Sequence, residues 1–293
     1  MITIDALRVR DRERTPLDGV TMLLTANAVH GIEGEGRSEL LRAVYGLAVP
    51  ESGSVTSGGH PLRRRDMAYL EAEDARHALR VLRLDVGAQV HLFADGQAYA
   101  ASICQTGPDG VAVRVLEKLK SPEASLRVTL YQGVPKGDKM DYIVQKCTEA
   151  GVCRIVPVEM PRCVAHLDGK DDKKLSRWNR IAREAAKQAF RPVTPEVAAP
   201  IDLNALCRAL PGHQLALVPW EDAREGTLPR LISPDIADLA IVIGPEGGMG
   251  ESEVQRMLGS GARAVTLGPR IFRTETAGLA AIIAAMALSG NLE

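Results

Sequence analysis

Leu239-Ala-Ile-Val-Ile-Gly-Pro-Glu-Gly-Gly-Met249 and Ala264-Val-Thr-Leu-Gly-Pro-Arg-Ile-Phe-Arg-Thr-Glu-Thr-Ala277 decide how this chain is read. Each opens with an apolar run, Leu239 to Ile243 and Ala264 to Leu267. Each run breaks on a Gly-Pro turn. The two turns stand about 25 residues apart, which leaves room for one crossover helix between two buried parallel strands. In an open parallel sheet, the loops beyond the strand C-termini form the ligand crevice. Gly244, Gly247, Gly248 and Gly268 allow backbone to approach a ligand closely, and the prolines stiffen the turns. Either turn alone would pass for an ordinary strand-to-helix connection. Both together, followed by Arg270, Arg273, Thr274 and Glu275, point to a binding edge.

This pair of motifs, GPEGG then LGPRIFRTETA, resembles the signature of the RsmE family. These are SPOUT-class methyltransferases that modify N3 of a uridine in 16S ribosomal RNA of the small subunit. Lys136-Gly-Asp-Lys-Met-Asp141 and Glu184-Ala-Ala-Lys-Gln188 match the same family. The resemblance runs from about residue 67 to the end. It implies an α/β fold: a SPOUT-type parallel sheet with a C-terminal trefoil knot over about residues 215 to 285, preceded by a small PUA-like β-barrel. It also implies S-adenosyl-L-methionine as cofactor and a homodimer with each site at the interface. By motif, the cofactor residues are Ile243, Gly244, Glu246, Gly247 and Gly248 in the first loop, and Leu267, Gly268, Ile271 and Phe272 in the second. Thr276 and Ala277 follow on the next helix, and Leu217 stands on a preceding strand edge. Two departures matter. Met249-Gly250 replaces an aromatic followed by Ser or Thr, which weakens the next helix cap. Phe272 stands where Leu is commoner, on the adenine wall.

At 293 residues, 45% apolar and 3% aromatic, the chain has the length for two domains and an aliphatic core. The formal net charge is −1, so nucleic-acid contacts must come from local patches. Five cysteines at irregular spacing imply free thiols and a reducing compartment, hence a cytoplasmic protein. Cys153, Cys163 and His166 fit no zinc spacing, so no metal is expected. No apolar run has membrane-spanning length, so no membrane association is expected.

Residues 1–65 fall outside the methyltransferase resemblance. Gly31-Ile-Glu-Gly-Glu-Gly36-Arg37-Ser38 has P-loop spacing with Arg in the Lys position, and resembles the start of an ABC-transporter ATPase of the sugar-importer type. Glu33 and Glu35 put negative charge into the phosphate cradle. No apolar run ends in an Asp-Glu pair, and no ABC signature follows. The segment therefore reads as a fused remnant or appendage, not a working ATPase.

Residues 66–122 read as a small β-rich domain with RNA-binding character. Ala75 to Leu84 has helical spacing, with Arg76, Arg80 and Arg83 on one stripe and Leu79 and Leu82 on another face. Strands are expected at 89–93, 98–103 and 111–116, around Asp-Gly turns at 95–96 and 109–110. The short strand that opens the family's barrel is not evident between Arg63 and Tyr69. Either the N-terminal segment supplies a substitute or the barrel is incomplete.

From residue 123 the pattern becomes α/β. Strands are expected at 126–131, 152–158 and 214–218. A helix capped by Asp138 carries Met140, Ile143, Val144 and Cys147 at core spacing. The helix from Lys173 to Arg191 carries Lys173, Lys174, Arg177, Arg180, Arg183, Lys187 and Arg191 against the single acid Glu184. A solvated helix usually mixes signs. With Arg162 upstream, this imbalance marks a phosphate-rich partner.

The chemistry implied is methyl transfer from a sulfonium to a weakly acidic uracil nitrogen. Glu275 is the visible base candidate, but an ordinary Glu, at about pKa 4.3, is a weak base for it. A cation beside the uracil oxygens would stabilise the imide anion instead, which assigns that role to Arg273. The alternatives are that Arg273 only docks a phosphate, or that the chain is a catalytically inactive RNA-binding or ribosome-assembly protein that keeps the fold.

Overall fold

The computed structural model describes residues 2–11, 14–24, 52–57, 60–61, 67–94, 96–107, 110–164, 172–223 and 226–292. The chain forms two compact units, one of Met1–Leu92 with Ala98–Leu119, the other of Phe93–Gln97 with Lys120–Glu293. In the first unit, β1 (Ile2–Asp11), β2 (Arg14–Leu24), β3 (Ser52–Ser57) and β4 (His60–Pro61) pair antiparallel in the order β2-β1-β3-β4. The P-loop-like stretch from Gly31 to Ser38 lies outside the described residues.

A second sheet runs β5-β8-β7-β6, from β5 (Met67–Tyr69), β6 (Gln89–Ala94), β7 (Gln97–Gly107) and β8 (Gly110–Lys118). Ala101, Ile103, Val111 and Val113 form its core with Ala75. β5 corrects the sequence reading. A strand does stand before Leu70, pairing Ala68 with Val113 and Tyr69 with Ala112. At three residues it is too short to show a period. The helix here is also shorter than its spacing suggested. It comprises α1 (Ala72–Arg76) and a wider π turn over His77–Val81, and Leu82, though apolar, is exposed. Arg83 lies beyond it with φ 52, so Arg76, Arg80 and Arg83 are not one helical stripe.

The second unit is the expected α/β body. Seven strands pair in parallel: β9 (Arg127–Gly133), β10 (Arg154–Glu159), β11 (Glu196–Val197), β12 (Ile201–Asp202), β13 (Leu215–Pro219), β14 (Asp238–Ile243) and β15 (Arg263–Val265). Their order is β11-β10-β9-β14-β13-β15, with β12 also on β10. The helices are α2 (Lys139–Glu149), α3 (Asp172–Gln188), α4 (Leu203–Ala209), α5 (Leu228–Leu231), α6 (Glu251–Gly259) and α7 (Thr274–Leu288). α2 packs on α3 and α7, and α4 packs on α6. Helices over a parallel sheet bury both of its faces, so β9 and β14 are buried continuously after their first residues and not alternately. α2 buries Met140, Ile143, Val144 and Cys147 as its spacing requires. Asp138 holds the N-cap position of α2 but makes no side-chain cap; its carboxylate lies 3.7 Å from Arg177.

Candidate active site

The C-terminal ends of β9, β14 and β15 bring three loops to one edge of the sheet. Gly244–Gly250 follows β14, Thr266–Arg273 follows β15, and Val134–Asp138 follows β9. The first and third touch closely. A Cβ on Gly133 would lie 2.6 Å from Pro245 N and 2.9 Å from Gly244 C, so only glycine fits there. In the second loop Gly268 has φ +104, a conformation that L side chains rarely adopt, and the chain turns there towards α7. Arg273 takes the N-cap of α7 in extended backbone, and its carbonyl accepts from Thr276 N and Ala277 N at 3.0 and 2.9 Å.

Two ties hold these loops together. Gln132, fully buried at the end of β9, donates from Nε2 to Thr274 Oγ1 at 2.9 Å and to Gly133 O at 3.0 Å. Thr274 Oγ1 in turn donates to Gly244 O at 2.6 Å. On the outer side, Lys139 Nζ lies 3.1 Å from Glu246 and 3.2 Å from Glu275. Lys136 N–H also donates to Glu246, at 3.2 Å. Partial burial would raise the Glu246 carboxyl, but its own backbone N–H, the Lys139 ammonium and the Lys136 N–H hold it below the usual carboxylate range. Glu275 is held low first by its own backbone N–H in the first turn of α7, against partial burial, and then by Lys139 and Arg273. Hydrogen bonding to Glu246, reinforced by Glu275, raises Lys139.

Beside the second loop is a cavity of about 550 Å³, lined by Leu267, Gly268 and Phe272, by Thr227 to Pro229, and by Ala280, Ala284 and Leu288 of α7. The backbone N–H groups of Leu267, Ile271 and Phe272 have no partner among the described residues. An apolar wall beside open backbone donors suits a purine ring. The same edge therefore offers what a nucleoside cofactor needs, and its two carboxylates share the ammonium of Lys139.

A family model described as an RNA methyltransferase domain matches residues 122–286. Ribosomal RNA small subunit methyltransferase E of Bacillus subtilis is 34% identical over 224 residues, 73% of this chain and 88% of the relative. That of Mycobacterium tuberculosis is 32% identical over 223 residues, 74% and 84% of the two chains. The chain belongs to the small-subunit methyltransferase E family. A crystal structure of the Neisseria gonorrhoeae member bound to S-adenosyl methionine superimposes with a TM-score of 0.67 at 32% identity, covering 76% of this chain and 92% of that one.

Within that family frame, the residues named from sequence separate into groups. Ile243 is buried at the end of β14, Glu246 is tied to α2, and Gly244, Gly247 and Gly248 form the tight first loop. Ile271 is 87% exposed and Phe272 38% exposed. Ala277 and Thr276 lie in the first turn of α7. Leu217 is corrected. It is fully buried and paired on both sides, to Ile241 and Arg263, so it is not at a strand edge. β13 continues to Pro219, and its open end is there.

The basic residues also divide. Arg180 and Arg183 are exposed on α3, with no ion pair among the described residues. Arg180 and Lys173 line a cleft of about 420 Å³. Arg177 pairs with Asp138 and Asp141 of the α2 start, Lys187 lies 3.7 Å from Glu184, and Arg162 donates to Gly247 O at 3.2 Å, bracing the first loop. Arg191 is corrected outright. It follows the end of α3, is 6% exposed, and its guanidinium holds both oxygens of Glu123 and the carbonyls of Thr148 and Val152. With four of its five donors engaged inside and the side chain buried, it has no open fork for a phosphate. Sequence reasoning missed Gln132 and Lys139. The only local signal for Gln132 was a single amide in the otherwise apolar end of β9.

Among the described residues no group of three or more metal-ligating side chains converges; His166 lies outside them. No helix among them is long and apolar enough to cross a membrane.

Proposed function

We propose that this chain methylates N3 of a uridine in the small-subunit 16S ribosomal RNA, with S-adenosyl-L-methionine as methyl donor. When bound, the cofactor supplies a methyl group on a sulfonium. The chain's own contribution is to hold and align. Gly244–Gly248 and Leu267–Phe272 would cradle it, with the backbone of Leu267 and Phe272 on the adenine, and with Thr276 and Ala277 closing the floor. Glu275 is not the base. A carboxylate held below its ordinary range and tied to Lys139 takes up protons poorly at neutral pH. Arg273 is the catalytic residue in this reading, its guanidinium set against the uracil oxygens as the imide anion develops.

The observation that carries this reading is the placement of Arg273. It is exposed, follows the open second loop directly, and makes no ion pair or side-chain hydrogen bond among the described residues, while its neighbour Thr274 is buried and tied down. Arg76, Arg80 and Arg83 on the small domain, and Arg180 and Arg183 on α3, would meet RNA phosphates. We assign residues 66–122 as the PUA-like RNA-binding domain, 123–293 as the methyltransferase domain with the knot in its C-terminal part, and 1–65 as an appendage. α7 supports a homodimer. It buries Ala281, Ile282 and Ala285 inward yet leaves Ile283 45% exposed, so both sides of the helix are apolar. The expected location is the cytoplasm, where the small subunit is made.

Mass spectrometry of ribosomal RNA from a deletion strain, complemented with parent or Arg273→Ala, tests the assignment. The parent should restore a methyluridine. Arg273→Ala should lower turnover by about 10²–10³, the scale for losing one oxyanion-type donor, and leave cofactor affinity unchanged. Its rate should keep rising towards alkaline pH, where the parent's levels off. A raised RNA KM with parental turnover would make Arg273 a docking residue.

A further inference from the structure

Gln132 is an unusual residue for its place. It lies one residue from the end of β9, is fully buried, and carries an oxygen, Oε1, without a partner among the described residues. Its orientation is determined by its neighbours. Nε2 faces Gly133 O, a pure acceptor, and Thr274 Oγ1, whose own proton goes to Gly244 O. Turning the amide over would set an oxygen against a carbonyl, so Oε1 is the atom left unpaired. Native proteins seldom leave a buried polar atom in this state without a reason. The reason lies on the nitrogen side. Through Thr274, the amide joins the end of β9, the first cofactor loop at Gly244, and the residue that follows Arg273.

We infer that Gln132 and Thr274 are positioning residues for Arg273. Arg273 is exposed, and its side chain makes no hydrogen bond or ion pair among the described residues. Its backbone direction is set by the residue after it, and Thr274 is pinned at 2.6 Å to the same loop that would hold the cofactor. The relay thus fixes the backbone from which the Arg273 side chain leaves, relative to the loop that would hold the cofactor. It uses hydrogen bonds between segments 142 and 30 residues apart in sequence. Lys139 supports the same two loops from outside, but through a half-exposed ammonium that salt screens. The buried relay is the part that water and salt do not loosen. This inference rests on the catalytic reading of Arg273.

The test is a double-mutant cycle on the full chain. Thr274→Val keeps the shape and removes the hydroxyl. Gln132→Met keeps the volume, removes both donors and also removes the orphan oxygen. Each should lower turnover by about 10- to 100-fold, the scale of an ångström misplacement, with cofactor and RNA KM nearly unchanged. Thr274→Ser keeps the hydroxyl and should restore parental turnover within about 3-fold. Gln132→Met should melt near the parent's temperature, since loss of the unpaired oxygen offsets the two lost donors. In an Arg273→Ala background, either change should alter turnover by less than about 3-fold, because the residue they position is gone. If the losses multiply in that background while Arg273→Ala alone is impaired, the relay acts on general stability and this inference falls. Parental turnover in Arg273→Ala alone would remove the catalytic reading, and the relay's purpose with it. Should Thr274→Val not fold, Gln132→Met completes the cycle.

Discussion

Arg191→Met separates a phosphate contact from a core fastener. The structure gives Arg191 a bidentate pair with Glu123, at 2.7 and 3.1 Å, and two carbonyl acceptors, Thr148 and Val152, at 2.7 and 2.9 Å. Those carbonyls belong to the C-terminal turn of α2 and the residue that leads into β10, so the guanidinium pins a helix end and the linker to the sheet. Removing one partner of a buried pair costs about 3–5 kcal/mol, chiefly by leaving the other charge unpaired. Glu123 keeps 22% of its side-chain surface, so water relieves part of that and favours the lower end. The two carbonyls lose charged donors, which favours the upper end. A loss of about 3–5 kcal/mol in a unit this size lowers Tm by roughly 6–20 °C. Thermal denaturation followed by circular dichroism measures it. Glu123→Leu combined with Arg191→Met should recover part of the loss, because no charge is then left unpaired. If Arg191→Met melts within about 1 °C of the parent and instead reduces the log–log salt slope of RNA binding by about 0.7–0.9, Arg191 is a phosphate contact and the burial argument is wrong.

Other expectations are as direct. Arg180→Ala with Arg183→Ala should flatten that salt slope by about 0.7–0.9 per lost contact and leave Tm unchanged; an unchanged slope removes α3 from the RNA surface. Gly133→Ala should abolish cofactor binding measured by calorimetry, since its Cβ would stand 2.6 Å from Pro245 N and force the first loop away; parental affinity would show that loop to be irrelevant to the cofactor. Lys139→Met should be most destabilising near neutral pH. Glu246 and Glu275 lie below their ordinary 4.5 in the folded chain, so the stability they contribute is present above 4.5 and is lost as pH falls through their folded values. The Tm difference between parent and Lys139→Met should therefore shrink below pH 4.5, and a difference that stays constant from pH 7 to 3 would refute the clamp.

Much of this protein was legible locally. The run Leu239 to Ile243 is apolar without alternation, and only a sheet covered on both faces makes such a strand stable. The stripe Met140, Ile143, Val144, Cys147 specified α2 for the same reason, since helical spacing reports which side is dry. The Gly-Pro turns marked the loops that follow β14 and β15, because backbone that must turn sharply favours those two residues. What the pattern does not carry is the identity of each partner. Arg180 and Arg191 are the same residue type on one basic run, yet one faces water and the other closes on Glu123 from 68 positions away. Gln132 looks like a lone polar residue in a strand until Thr274 is brought beside it. That β13 lies between β14 and β15, and that Lys139 bridges two distant carboxylates, followed only from the packed sheet. Periodicity senses the solvent on either side of a segment, whereas a hydrogen bond or ion pair depends on where two distant segments finally meet.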